Sequence, residues 1–532
     1  MSNELRLIDT SSPHGFRELV PANGGCVNGG FTEHQAAQFY MPSQGPWRFF
    51  IDDELLPVSH VGGREGWLWK PGFYAGTVRA EVIAEGELNG CNYLLDVTSD
   101  PAKLGQTSLQ VLVQDILDDD PSLIVGDEPA THALGESKPT DNASVQYAYL
   151  FQHSSALLAA LRAIEDRPRR SLEATRITVP LSRVRRADAH TARLMARNGS
   201  LAALAAAVAT GTTTGERTDW RFNVPFSVES LDSAATRCVT ALANAVLRRA
   251  IQVGKRLEEL ATSEKKSVFR TSLLVRWPRR REFVASLVRA LDQTLMREPF
   301  RSVRRAEVTA AGLTAVAADP IYARAQRLAW KILRPGTAGA KSESWAWMSP
   351  TWDLYETWCF IRLRRVLQDV LPELTWKRTR APSYRDCFEG TGLGIQVRLF
   401  WQPVFWHRAD GPMQNDLWSI SKELRPDFAV TLDRPTSKRW FILDAKYSQG
   451  RQTILDAMYS AHVYHDALRR FDEPPFRSLL LIPALGDDVD WLHERSFKDT
   501  HGVGIVTCSP DTATGAAIVD ELRAIAGACS GH

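Results

Sequence analysis

The chain has 532 residues, of which 44% are hydrophobic and 24% charged, and a formal net charge of +2. That length and composition predict two or three domains of an ordinary globular protein. The longest apolar stretch, Leu201–Thr210, is too short to span a bilayer, and Met1–Leu5 shows no secretory pattern. The seven cysteines include no Cys-x-x-Cys pair, which argues against structural zinc and suits a reducing, cytoplasmic setting.

The small net charge hides a segregation. Residues 1–150 hold 8 Lys+Arg and 21 Asp+Glu, whereas residues 161–310 hold 29 and 15. Two readings stand: the basic middle follows a phosphate backbone, or the acidic and basic parts neutralise each other and the arginines solvate helices.

In chain order, residues 1–125 read as a β-rich acidic domain. Strand-length runs fall at 47–51, 76–84 and 92–97, and a helix at 107–117. The glycine cluster at 24–30 lacks the Lys-Ser/Thr ending of a phosphate loop and reads as a flexible turn. A polar linker at 125–143 leads to a basic, all-α middle stalk at 144–335. Its helices are expected at 146–164, 187–210, 230–263, 281–295 and 320–333, with interruptions at Val179-Pro180, 211–218 and Pro278.

A break at 335–339 opens the C-terminal domain, 345–532. Ser349-Pro350 predicts a helix start, with Ser as N-cap and Pro at the first helical position. Strands follow at 394–401, 428–432 and 439–447, a helix at 453–470, strands at 478–482 and 504–508, and a helix at 513–526. Trp401, Phe405 and Trp406 form an aromatic patch beside these strands, suited to core packing or to stacking on a base.

Two of these strands carry chemistry. Asp427 opens one, and Asp444 and Lys446 close the next. Strand alternation sends Asp444 and Lys446 to one face. Two carboxylates and an ammonium converging at strand ends can hold a divalent metal and activate water. Half-motifs alone prove little: Glu136-Ser137-Lys138 and Glu264-Lys265-Lys266 lie in polar or helical contexts, and Pro510-Asp511 has no partner motif.

Pro426-Asp427 and Asp444-Ala445-Lys446, set among these elements, resemble the PD-(D/E)xK nuclease core. The resemblance implies a multidomain α+β chain ending in an α/β restriction-endonuclease-like core. It implies that Asp427, Asp444 and the Ala445 carbonyl, with Glu356, bind Mg²⁺ or Mn²⁺, and that Lys446 steadies the attacking water and the phosphorane charge. Tyr355-Glu356-Thr357-Trp358 and the His462-to-Ala467 run are similar to McrC-like prokaryotic nucleases. By that likeness His462 and Tyr464 would contact phosphate; pairing of His462 with Asp466 one turn on is the equal alternative. The likeness also implies DNA as substrate and an AAA+ GTPase or ATPase partner, in an anti-phage or restriction system, with the acidic N-terminal part docking the motor. The chain has no Walker motif. A rival expectation is an adaptor that activates an AAA+ NTPase with a weak nuclease core, and RNA is not separated from DNA.

Overall fold

The computed structural model describes residues 7–510 apart from 12–15, 23–25, 44, 62–63, 86–89, 127, 134–141, 181–182, 198–208, 211–220, 265–272, 335–344, 382, 408–416, 436 and 486–487. The expected helix at 513–526 and most of the second half of that at 187–210 lie outside the described residues. The chain divides into two compact units. Met1–Ala148, Leu257–Arg280 and Pro335–His532 form one, Tyr149–Arg256 and Arg281–Arg334 the other.

The first unit begins β-rich. Trp47–Ile51, Gly76–Ala84 and Cys91–Thr98 are strands of one sheet. Alternate residues Val78, Ala80 and Val82 are buried with Phe49, Tyr93 and Leu95. The predicted polar linker is corrected here: Ala130–Ala133 joins this sheet and pairs on its far side with Trp345–Trp347. The glycine cluster is corrected too. Val27–Thr32 is a strand parallel to Cys91–Thr98, and Gly30, at φ +88°, falls where the register shifts. An extra residue in a ladder needs such a backbone, so Gly29 and Gly30 form a bulge rather than a loose turn, while Gly24 and Gly25 lie outside the described residues. The helix Gly105–Asp119 follows.

The segment Leu257–Arg280 brings basic residues to this acidic part. Asp52 receives Arg276 and Arg280 at 3.3 Å each and the Trp347 indole N–H at 2.8 Å. Arg279 reaches Glu81 at 2.5 Å. This anchoring accounts for the helix Leu273–Leu295 running through Pro278, where a break was expected.

The second unit contains most of the helices Ala143–Asp166 and Ala234–Glu264, with Ala189–Arg197, Ala310–Ala317 and Pro320–Leu333. It is not all-helical. Ser171–Pro180 and Arg221–Ser230 form a two-stranded antiparallel ribbon. Ile177, Val179, Phe222 and Val224 share one face of it by their register. The interruption expected at Val179-Pro180 is the end of the first ribbon strand, and each strand of a two-stranded ribbon has an open edge where a proline's missing N–H costs nothing.

The C-terminal part, again in the first unit, is a seven-stranded sheet. Its order is Thr375–Ala381, Tyr384–Gly392, Ile395–Trp401, Phe428–Arg434, Ser437–Ala445, Ser478–Ile482, Val503–Thr507. The first five strands are antiparallel neighbours and the last three run parallel. One face packs Ile454, Met458 and Ala461 of the helix Arg451–Ala467 against Leu480, Ile482 and Ile505. On the other, Phe360 of the helix Thr351–Val370 stacks on Trp401 at 4.7 Å and Phe428 at 6.4 Å. That helix starts at Thr351, later than expected; Ser349 gives its hydroxyl to the Val125 carbonyl instead of capping.

Candidate active site

The hairpin Phe428–Arg434/Ser437–Ala445 sets the centre. Phe428 lies opposite Leu443. One step further, Asp427 lies across from Asp444, and directly opposed residues share a face. Asp427 Oδ2 accepts the Ala445 N–H at 2.7 Å. Lys446 Nζ is 2.6 Å from Asp444 Oδ2, and Ser460 Oγ donates to the same oxygen at 3.2 Å. Asp444 is 1% exposed, so this is a buried carboxylate held by an ammonium and a hydroxyl.

Glu356 completes the ring of acids from the helix Thr351–Val370. It is 4% exposed. Its Oε1 accepts the Trp401 indole N–H at 2.7 Å and the Gln402 amide at 2.8 Å. The Gln402 backbone N–H also donates to the Asp427 carbonyl at 2.7 Å. Gln402 therefore ties two acids together, from a left-handed position at φ +49°. Trp401 and Phe405 are core residues, both 1% exposed or less, and are closed to base stacking.

The electrostatics follow from crowding. Burial raises the Asp427 carboxyl well above its ordinary range, with the charges of Asp444 and Glu356 adding to it. Burial, with a smaller contribution from Asp353, pushes Glu356 up to about 7 against its bonds to Trp401 and Gln402. Burial would lower Lys446, but Asp444, Asp427 and Glu356 together raise it, so it stays an ammonium.

The structure brings Asp427, Asp444, Ala445 and Lys446 to one point with Glu356 beside them. Tyr464 also belongs there: burial and then the Asp444 and Asp427 charges raise its hydroxyl, which reaches the Arg425 carbonyl at 3.5 Å. His462 does not. It is exposed, half a turn from the stripe of Ser460 and Tyr464 that faces the acids. Asp466 approaches His465 at 3.2 Å. Ser460 and Gln402 were missed by sequence reasoning; helical spacing from Tyr464 could have found Ser460, and nothing in the sequence marks Gln402.

The donor set suits a hard divalent cation. Asp427 Oδ2 and Asp444 Oδ2 are engaged, which leaves Oδ1 of each, and a cation would relieve the like-charge pressure on Asp427. Among the described residues, no three His, Cys, Asp or Glu side chains gather as a metal-holding group. The fit therefore rests on two carboxylates and the Ala445 carbonyl, with Glu356 as a flanking acid.

No curated protein matches the chain. A solved half-complex from a tetradecameric assembly of Thermococcus gammatolerans McrB AAA+ hexamers with bound McrC aligns over 88% of this chain and 85% of that one, at 12% identity. Its TM-score is 0.24. Residues 353–480 match the family described as the PD-(D/E)XK nuclease superfamily. Residues 353–480, which include Asp427, Asp444 and Lys446, are thus the PD-(D/E)XK region of this chain.

Proposed function

We propose that this chain is a metal-dependent endonuclease that hydrolyses DNA phosphodiesters. The observation that carries the reading is Asp427, bonded to the Ala445 N–H at 2.7 Å and under the charge of Asp444, with Lys446 held at 2.6 Å from Asp444. Asp427, Asp444 and the Ala445 carbonyl would hold Mg²⁺ or Mn²⁺, which supplies Lewis acidity and lowers the pKa of a bound water. Lys446, kept cationic by three acids, steadies negative charge as it develops on the phosphate oxygens. Ser460 fixes Asp444, and Glu356 can take up or release a proton near neutral pH.

The wider setting rests on the sequence likeness to McrC-like nucleases. It makes the chain a nuclease subunit of a prokaryotic restriction or anti-phage system, working in the cytoplasm with an AAA+ motor. The absence of a Walker motif supports a motor in another chain. With plasmid DNA and Mg²⁺ or Mn²⁺, Asp444→Ala and Lys446→Ala should each lose at least about 100-fold of the cleavage rate while keeping the wild-type circular dichroism spectrum. Cleavage at the wild-type rate by both variants would defeat the reading, and matched RNA would show whether DNA is preferred.

A further inference from the structure

The segment just past the strand Ser437–Ala445 reaches beyond the nuclease domain. Tyr447, next to Lys446 and 7% exposed, points its hydroxyl at residues of the β-rich N-terminal part of the same unit. It donates to Glu33 Oε2 at 3.4 Å, and Ser99 Oγ lies 2.9 Å from the same hydroxyl. Lys103 sits 5.0 Å above the Tyr447 ring, and its carbonyl accepts the Gln449 amide at 2.7 Å.

Glu33 also holds the other element of the site. Its Oε1 accepts the Thr351 hydroxyl at 2.5 Å, and the Thr351 N–H donates to the Phe73 carbonyl at 2.8 Å. Thr351 is the first residue of the helix that carries Glu356. The Tyr355 ring, on that helix, packs 5.9 Å from Tyr447. One carboxylate, 2% exposed and fixed by the Asp100 N–H at 3.3 Å, thus bonds the segment next to Lys446 and the start of the helix that carries Glu356.

We propose that Glu33 is a positioning residue for the nuclease. Through Tyr447 and Thr351 it sets the end of the Lys446 strand against the start of the Glu356 helix. The β-rich part then does more than support the domain: whatever shifts the turn bearing Glu33 shifts Lys446 relative to Glu356. This inference rests on the nuclease reading above, since it concerns the same site.

The experiment uses the full chain with Glu33→Ala, Glu33→Gln and Tyr447→Phe. On plasmid DNA with Mg²⁺, Glu33→Ala should lower kcat about 10- to 100-fold with KM unchanged, the scale expected of a small misplacement. Glu33→Gln, which keeps an acceptor for Thr351, should recover most of it, and Tyr447→Phe should fall between. Without DNA or metal, hydrogen exchange of Glu33→Ala should speed up in 351–357 and 444–449 and stay unchanged in 478–482. Wild-type rate and unchanged exchange in Glu33→Ala would overturn the proposal. So would an equal loss in Gln and Ala with a raised KM, which marks fold support alone. If the wild type shows no Asp444-dependent cleavage, the nuclease reading fails, while the exchange pattern still decides whether Glu33 couples the two segments.

Discussion

Glu356 shows how burial becomes pH dependence. Its folded pKa of about 7 lies above the ordinary 4.5. The folded protein therefore binds a proton there that the unfolded chain has released between those values. Stability is greatest below pH 4.5 as far as this group is concerned, falls as pH rises, and levels off above 7. The full difference is about 3 kcal/mol by linkage, an upper figure for a group that shares the site with Asp427 and faces Lys446, Arg385 and Asp353. Thermal melts in EDTA should show the midpoint dropping between pH 5 and 7.5, and Glu356→Gln should flatten that slope. A slope unchanged in Glu356→Gln would assign the titration to another acid.

At the scale of elements, the hairpin was legible because its logic is local. Period-two alternation fixes that Asp444 and Lys446 share a face, and apolar runs on either side leave one register. The helix Arg451–Ala467 was legible as a helix, but its facing was not. His462 attracts notice as chemistry, whereas Ser460 and Tyr464, four apart, form the stripe over the acids. Ser460→Ala removes one hydrogen bond to a buried carboxylate, worth about 1–2 kcal/mol. Single-turnover cleavage should slow about 5- to 30-fold for it, and His462→Ala should stay within about twofold. The reverse order would restore His462 as a phosphate contact. Long-range features were illegible for the opposite reason. Gln402 reaches Glu356 across a turn of left-handed backbone, and the ribbon pairs strands about 50 residues apart through two prolines.

For the whole molecule, charge segregation has two parts with different physics. Some acids of the N-terminal segment are consumed internally. Asp52 and Glu81 hold Arg276, Arg279 and Arg280, Asp115 takes Arg365 and the Trp358 indole, and Asp119 pairs with Arg364. Such pairs fix packing and leave less acid for a docking surface than composition suggested. The second unit carries exposed basic residues: Arg183, Arg185 and Arg186 lie just beyond the ribbon strand Ser171–Pro180. Exposed arginines in a row act on a polyanion through counterion release, with a log–log salt slope near 0.9 per phosphate neutralised. Replacing all three by alanine should weaken binding to duplex DNA at 100 mM salt and reduce that slope by about 2–3, with the Asp444-dependent cleavage rate at saturating DNA preserved. Equal slopes would mean that these arginines only solvate the second unit, and that the nucleic acid meets the nuclease domain without them.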